Sequence, residues 1–165
     1  MILRKFLLTL SALGALSLTV FAQTTGTTTT TTTATRQTTF SPVGLGSSET
    51  LEVNVANLAA NPTSGTAASC TGSVSFVNAS GAAIGTASNF TLTSGQMKAV
   101  TLPYTSSGTS SGRALVRAVI SVTLTSGTPC QLASSLATYD TSTGATHAYV
   151  DGGEMAGGYG FGPGR

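Results

Sequence analysis

One histidine, two cysteines and five carboxylates are the groups that this 165-residue sequence offers to acid–base, metal or redox chemistry. His147 is the only general base on offer near neutral pH. Activating a nucleophile would require a hydroxyl beside it and a carboxylate to orient it. Asp140 and Asp151 are the acids nearest to it in sequence. No Gly-x-Ser-x-Gly elbow supplies a poised serine. His147 falls in the same alternation class as Tyr149 and reads as a strand residue.

Metal and cofactor chemistry finds equally little. A catalytic zinc takes about three protein ligands, often histidines. Cys130, His147 and Met155 occur in blue-copper order. The second histidine is absent, the spacings are too long, and Cys130 is expected to be oxidised. The acids are too scattered for a calcium loop. A single weak calcium at Asp140 or at Asp151-Gly152-Gly153-Glu154 is the minor alternative. Glu49–Glu52 and Asp151–Glu154 are local pairs near element ends, which solvation and turn geometry explain better than glycoside hydrolysis. Gly158 to Gly164 opens no helix and lacks the lysine of a phosphate loop. The chain is expected to be non-enzymatic and to carry no cofactor.

Binding chemistry leaves four candidates. Arg113 and Arg117 stand four apart, on one face of a strand, where they could meet an anionic sugar or a carboxylate. As solvated charges they would also discourage edge-to-edge aggregation. Tyr104 and Tyr139 are the candidate rings for stacking a sugar, in a chain without Trp. Nucleic acid is excluded as a partner, because it calls for several Lys and Arg gathered on one face. Charged residues are only 7% of the chain, seven basic and five acidic; about 25% is usual.

The elements that must position these residues lie between two biased segments. Arg4 and Lys5, the apolar run Phe6 to Leu18, and Val20-Phe21-Ala22 predict a secretory signal over 1–22. The apolar run is short for a membrane span. Without Arg4 and Lys5 the remainder has five charges of each sign and no net charge. Residues 24–39 hold 12 Thr in 16 positions. With no apolar period, 23–42 is expected to be a disordered Thr-rich spacer, spanning roughly 20–25 Å and open to O-glycosylation. Residues 151–165, with seven glycines, are expected to be a flexible tail.

From Val43 to Val150 the pattern has a period of two. Leu51, Val53 and Val55 alternate with polar neighbours; so do Cys70, Val74 and Phe76, then Phe90 and Leu92, then Val100 and Leu102. The longest strand is Arg113 to Leu124, with Ala114, Val116, Ala118, Ile120, Val122 and Leu124 on one face. Asn78 to Gly81 and Thr93 to Gln96 read as turns. Asp140-Thr141-Ser142-Thr143-Gly144 closes a hairpin between Ser134–Tyr139 and Ala145–Val150. Six to eight short strands make the domain 43–150 an all-β, antiparallel sandwich. An even cysteine count in an exported chain predicts a Cys70–Cys130 disulfide.

Cys70…Val74-Ser75-Phe76, the 113–124 strand, Cys130 and Ser135-Leu136-x-x-Tyr139-Asp140-x-x-Thr143-Gly144 resemble small immunoglobulin-like domains of secreted bacterial proteins. The resemblance covers about 50–150 and implies an immunoglobulin-like β-sandwich, mostly without assigned activity. The expectation is a secreted structural or interaction module of the envelope or extracellular space. Its partner would be an envelope or extracellular protein or a glycan, with no transmembrane segment once the signal is removed. A carbohydrate- or surface-binding, adhesin-like domain is the alternative.

Overall fold

The computed structural model describes residues 31–157. The expected signal 1–22, the start of the Thr tract and residues 158–165 lie outside them. The chain folds into two antiparallel sheets packed face to face. The first sheet runs β5 (Ala83–Thr93), β4 (Ser69–Asn78), β7 (Ala114–Thr125), β1 (Thr33–Thr39). Short β2 (Val43–Leu45) pairs with the other half of β7. The second sheet runs β6 (Met97–Pro103), β3 (Glu49–Asn57), β8 (Cys130–Asp140), β9 (Thr146–Gly157). The architecture is a β-sandwich, two antiparallel sheets about one core. The strand path is its own, because β3 lies beside β8, and β7 beside β1, in place of the ABED/CFG order of constant domains.

Period two creates the core. Leu51, Val53 and Val55 on β3 face Val74 and Phe76 on β4, Phe90 and Leu92 on β5, and Val116 to Val122 on β7. Cys70 on β4 and Cys130 on β8 bridge the two sheets at a Cα separation of 5.1 Å. Polar residues also sit on the core rows, Asn57 at the end of β3 among them. Asn57 donates to Leu92 O (2.9 Å) and accepts from Ala59 N (3.0 Å), so it satisfies backbone groups that the strand ends leave open.

Turns follow the residues that specify them. Asn78 Oδ1 accepts from Ser80 N and Ala82 N, and Gly81 takes the left-handed φ of +83° that the turn needs.

Two expectations fail at the domain edges. The end of the expected spacer is not disordered: Thr33–Thr39 is strand β1, in one-for-one register with Val119–Thr125 of β7. The start of the expected tail is also ordered, since β9 continues to Gly157. Thr lacks an apolar period, but its branched Cβ suits an edge strand once a neighbour offers a ladder. β9 accommodates its glycines through a bulge. Ala133 pairs with Glu154 and Ser135 with Asp151, which leaves Gly152 and Gly153 opposite Ser134.

That bulge closes the seam between β1 and β9. Phe40, 3% exposed, turns inward between β1 and β2 and lies against Gly152. A Cβ on Gly152 would sit 2.6 Å from Phe40 Cζ and 2.5 Å from Ser134 Oγ. Gly152→Ala is therefore expected to cost roughly 1–3 kcal/mol. The buried Ser134 hydroxyl has no hydrogen-bond partner among the described residues. Ser134→Ala should be neutral or stabilising and should soften the Gly152→Ala penalty, measured as urea midpoints. Reducing the disulfide should lower stability by roughly 2–4 kcal/mol in the same assay.

Candidate functional site

The sequence-predicted residues gather most densely at one end of the sandwich, where the β2–β3 turn, the β6–β7 connection and the β8–β9 hairpin converge. Ser47, Ser48, Glu49, Pro103, Tyr104, Thr105, Thr141 and Ser142 line a cleft of about 370 Å³ there.

Glu49 is its organising group. It occupies the core-facing row of β3, two residues before Leu51, so the strand turns its carboxylate inward. Oε2 accepts from Gly46 N and closes the turn, while Glu49 N donates to Gly46 O (3.0 Å). Oε1 lies 2.5 Å from His147 Nδ1. The Gly46 N–H and the imidazole contact hold the carboxyl below its ordinary range, assisted by the Arg113 guanidinium and opposed by burial. An ionised carboxylate only accepts, so Nδ1 carries the proton. The two side chains differ in exposure, 47% for His147 and 10% for Glu49.

A second bulge aims the histidine. Tyr139 pairs with Thr146 and Thr138 with Ala148, so His147 has no opposite residue on β8. The extra residue leaves the alternation class of Tyr149 and reaches past Asp140 to Glu49. Neither Asp140 nor Asp151 is the partner. Asp140 is committed to its own loop: Oδ1 accepts from Ser142 Oγ (2.6 Å), Ser142 N (2.9 Å), Thr143 N (2.8 Å) and Thr143 Oγ1 (3.0 Å). The Ser142 hydroxyl first, then the Thr143 donors, hold its pKa far below the carboxylate range. Thr141 N donates to Ser48 O (2.8 Å), and Thr50 and Thr141 share a hydroxyl bond of 2.9 Å. The hairpin is thereby fastened to the β2–β3 turn.

The four candidate binding residues separate. Tyr104, only 7% exposed, is a core residue following Pro103. Its hydroxyl donates to Gly112 O (3.0 Å) and ties down the loop before β7, so its faces are not a stacking platform. Tyr139 is half-buried on the outer face of the second sheet. Tyr149, 66% exposed, stands diagonally beside it through its pairing with Ala137. Sequence reading did not select Tyr149, although its alternation with Val150 marked it as outward. Arg113 lies against Gly44, with Nε 2.7 Å from where a Cβ would be, and contributes to the field on Glu49. Arg117 is exposed on the outer face of the first sheet, opposite Val77.

That outer face has its own chemistry. Thr35, Thr123, Thr71 and Thr91 form one row across four strands. Gln37, Ser121, Ser73 and Asn89 form the next, with Gln37 Nε2 donating to Ser121 Oγ (2.9 Å). Hydroxyls and amides replace charge as the solvating groups. The chain matches no family model, no curated protein and no solved structure.

Both depressed carboxylates favour the folded state when ionised. Their contribution is complete above the ordinary values of 4.5 for Glu49 and 3.8 for Asp140 and is lost as pH falls through the lower folded values. Thermal unfolding should therefore be level with respect to these groups near neutrality and fall in acid. Glu49→Gln and Asp140→Ala should each lower the neutral-pH midpoint and flatten the acid limb.

Proposed function

We propose that the chain is a secreted, non-catalytic structural or interaction module of the cell envelope or extracellular space. The observation that carries this reading is the Cys70–Cys130 bridge tying together two sheets, one of them faced with hydroxyls and amides. Such a bridge persists in oxidising compartments. Hydroxyl-faced sheets keep a chain of low charge in solution. The groups available for chemistry also have structural duties: Glu49 closes a turn and holds His147, and Asp140 caps its hairpin. The resemblance to immunoglobulin-like domains of secreted bacterial proteins agrees with this assignment. No helix among the described residues is long and apolar enough to cross a membrane.

Cell fractionation with intact-mass measurement tests the reading. The expected product lies outside the cytoplasm, has the mass of residues 23–165 less the two thiol hydrogens, and holds no free thiol. A cytoplasmic, reduced protein overturns the assignment.

Carbohydrate binding is the second reading, favoured by Tyr139 and the exposed Tyr149 standing diagonally together on the outer face of the second sheet. Glycan-array binding that is lost in Tyr149→Ala and retained in Arg117→Ala would establish it in place of the first.

A further inference from the structure

A sheet that ends in solvent presents unpaired N–H and C=O groups, and folded proteins blunt such edges with bulges, prolines or lysines. Among the described residues, three of the four sheet edges are blunted. On β5, Ser88 pairs with Val74 and Ile84 with Phe76, so three β5 residues, including Gly85 at φ +67°, bulge opposite Ser75. β6 ends in Pro103 and carries Lys98, whose Nζ donates to Asn89 O across the seam (2.7 Å). β9 carries both bulges already described, at His147 and at Gly152-Gly153.

β1 is the exception. Its seven residues, Thr-Ala-Thr-Arg-Gln-Thr-Thr, run in unbroken register along β7 without Gly, Pro or Lys. The outward row is Thr33, Thr35, Gln37 and Thr39, wholly uncharged. Its single charge, Arg36, lies in the inner row and is already engaged. Only Thr38 is even half-buried, so the strand lies open to a partner.

We propose that β1 is a self-association edge, at which a second copy of this chain adds its own β1 antiparallel across a two-fold axis. The occupant follows from the row itself. An uncharged Thr/Gln row offers no counter-charge to a charged strand, whereas Thr against Thr is a favourable cross-strand pairing. A two-fold interface asks only that the patch complement itself. Centring the pair on Thr35 sets Arg36 opposite Ala34 of the second copy rather than opposite its own image. The two hydroxyl-faced sheets then become one continuous sheet. A single strand pair buries little surface, so the dimer is weak and concentration-dependent. This inference stands on edge geometry and is independent of where the protein resides.

Sedimentation equilibrium on residues 23–165 from micromolar to millimolar concentration tests it. The expected result is a reversible monomer–dimer equilibrium. Thr35→Lys, at an exposed position on the outer face, should abolish it at low salt through like-charge repulsion, and high salt should restore it. Locking β1 to its own β7 with Thr39→Cys/Val119→Cys, a register pair beyond the stretch 33–37 that pairs around Thr35, should leave the dimer intact. A strict monomer throughout overturns the proposal. So does a dimer indifferent to Thr35→Lys and salt, which would place the interface elsewhere. A dimer lost on locking also overturns it, because strand exchange would then be the mode.

Discussion

The structure depends on keeping two sheets in contact with little electrostatic help. Strands with period-two rows make the apolar interface, and the Cys70–Cys130 bridge ties a central strand of one sheet to a central strand of the other. The bridge acts chiefly by restricting the unfolded chain, and at a separation of 60 residues it restricts a large part of the domain. With the centre held covalently, the ends of the sandwich can be closed by polar groups. Asn57 does this where β3 ends, and Glu49 does it where β3 begins.

That polar closure explains why the few ionisable groups look more suggestive in sequence than in space. A lone histidine among two aspartates invites a catalytic reading. In the fold it completes the coordination of a carboxylate whose other oxygen is held by a backbone N–H. The arrangement has the geometry of the orienting half of an acid–base set, and it binds the start of β3 to the start of β9. Asp140 shows the same economy on a smaller scale, gathering two backbone and two side-chain donors of its hairpin on one oxygen.

Where a residue's neighbours in sequence decide its place, the fold was legible. Leu51-x-Val53-x-Val55 and Ala114 through Val122 announce strands because alternation alone puts them inward. Asp140 to Gly144 announces a hairpin through side chains that cap their own loop. β1 was illegible because a Thr tract has no preferred face, and only β7 gives it one. The continuation of β9 past Val150 was illegible because Gly152 acts through the ring of Phe40, more than a hundred residues earlier. The Glu49–His147 pair required knowing that a bulge would rotate His147 out of its alternation class. One local sign was present: Glu49 continues the inward row of Leu51, Val53 and Val55, and a carboxylate in such a row calls for a partner.

The Phe40–Gly152 contact also sets an order of events. The first strand of the domain waits for β7, and the ring that follows it waits for β9. A chain emerging N-terminus first therefore carries its opening strand unpaired until β7 has appeared, and its Phe40 ring unsealed until β9 has. Partial chains cannot seal the seam, and non-local pairing of this kind makes folding slow. The domain is consequently one that completes itself late and all at once, and shortening it from either terminus opens the same joint.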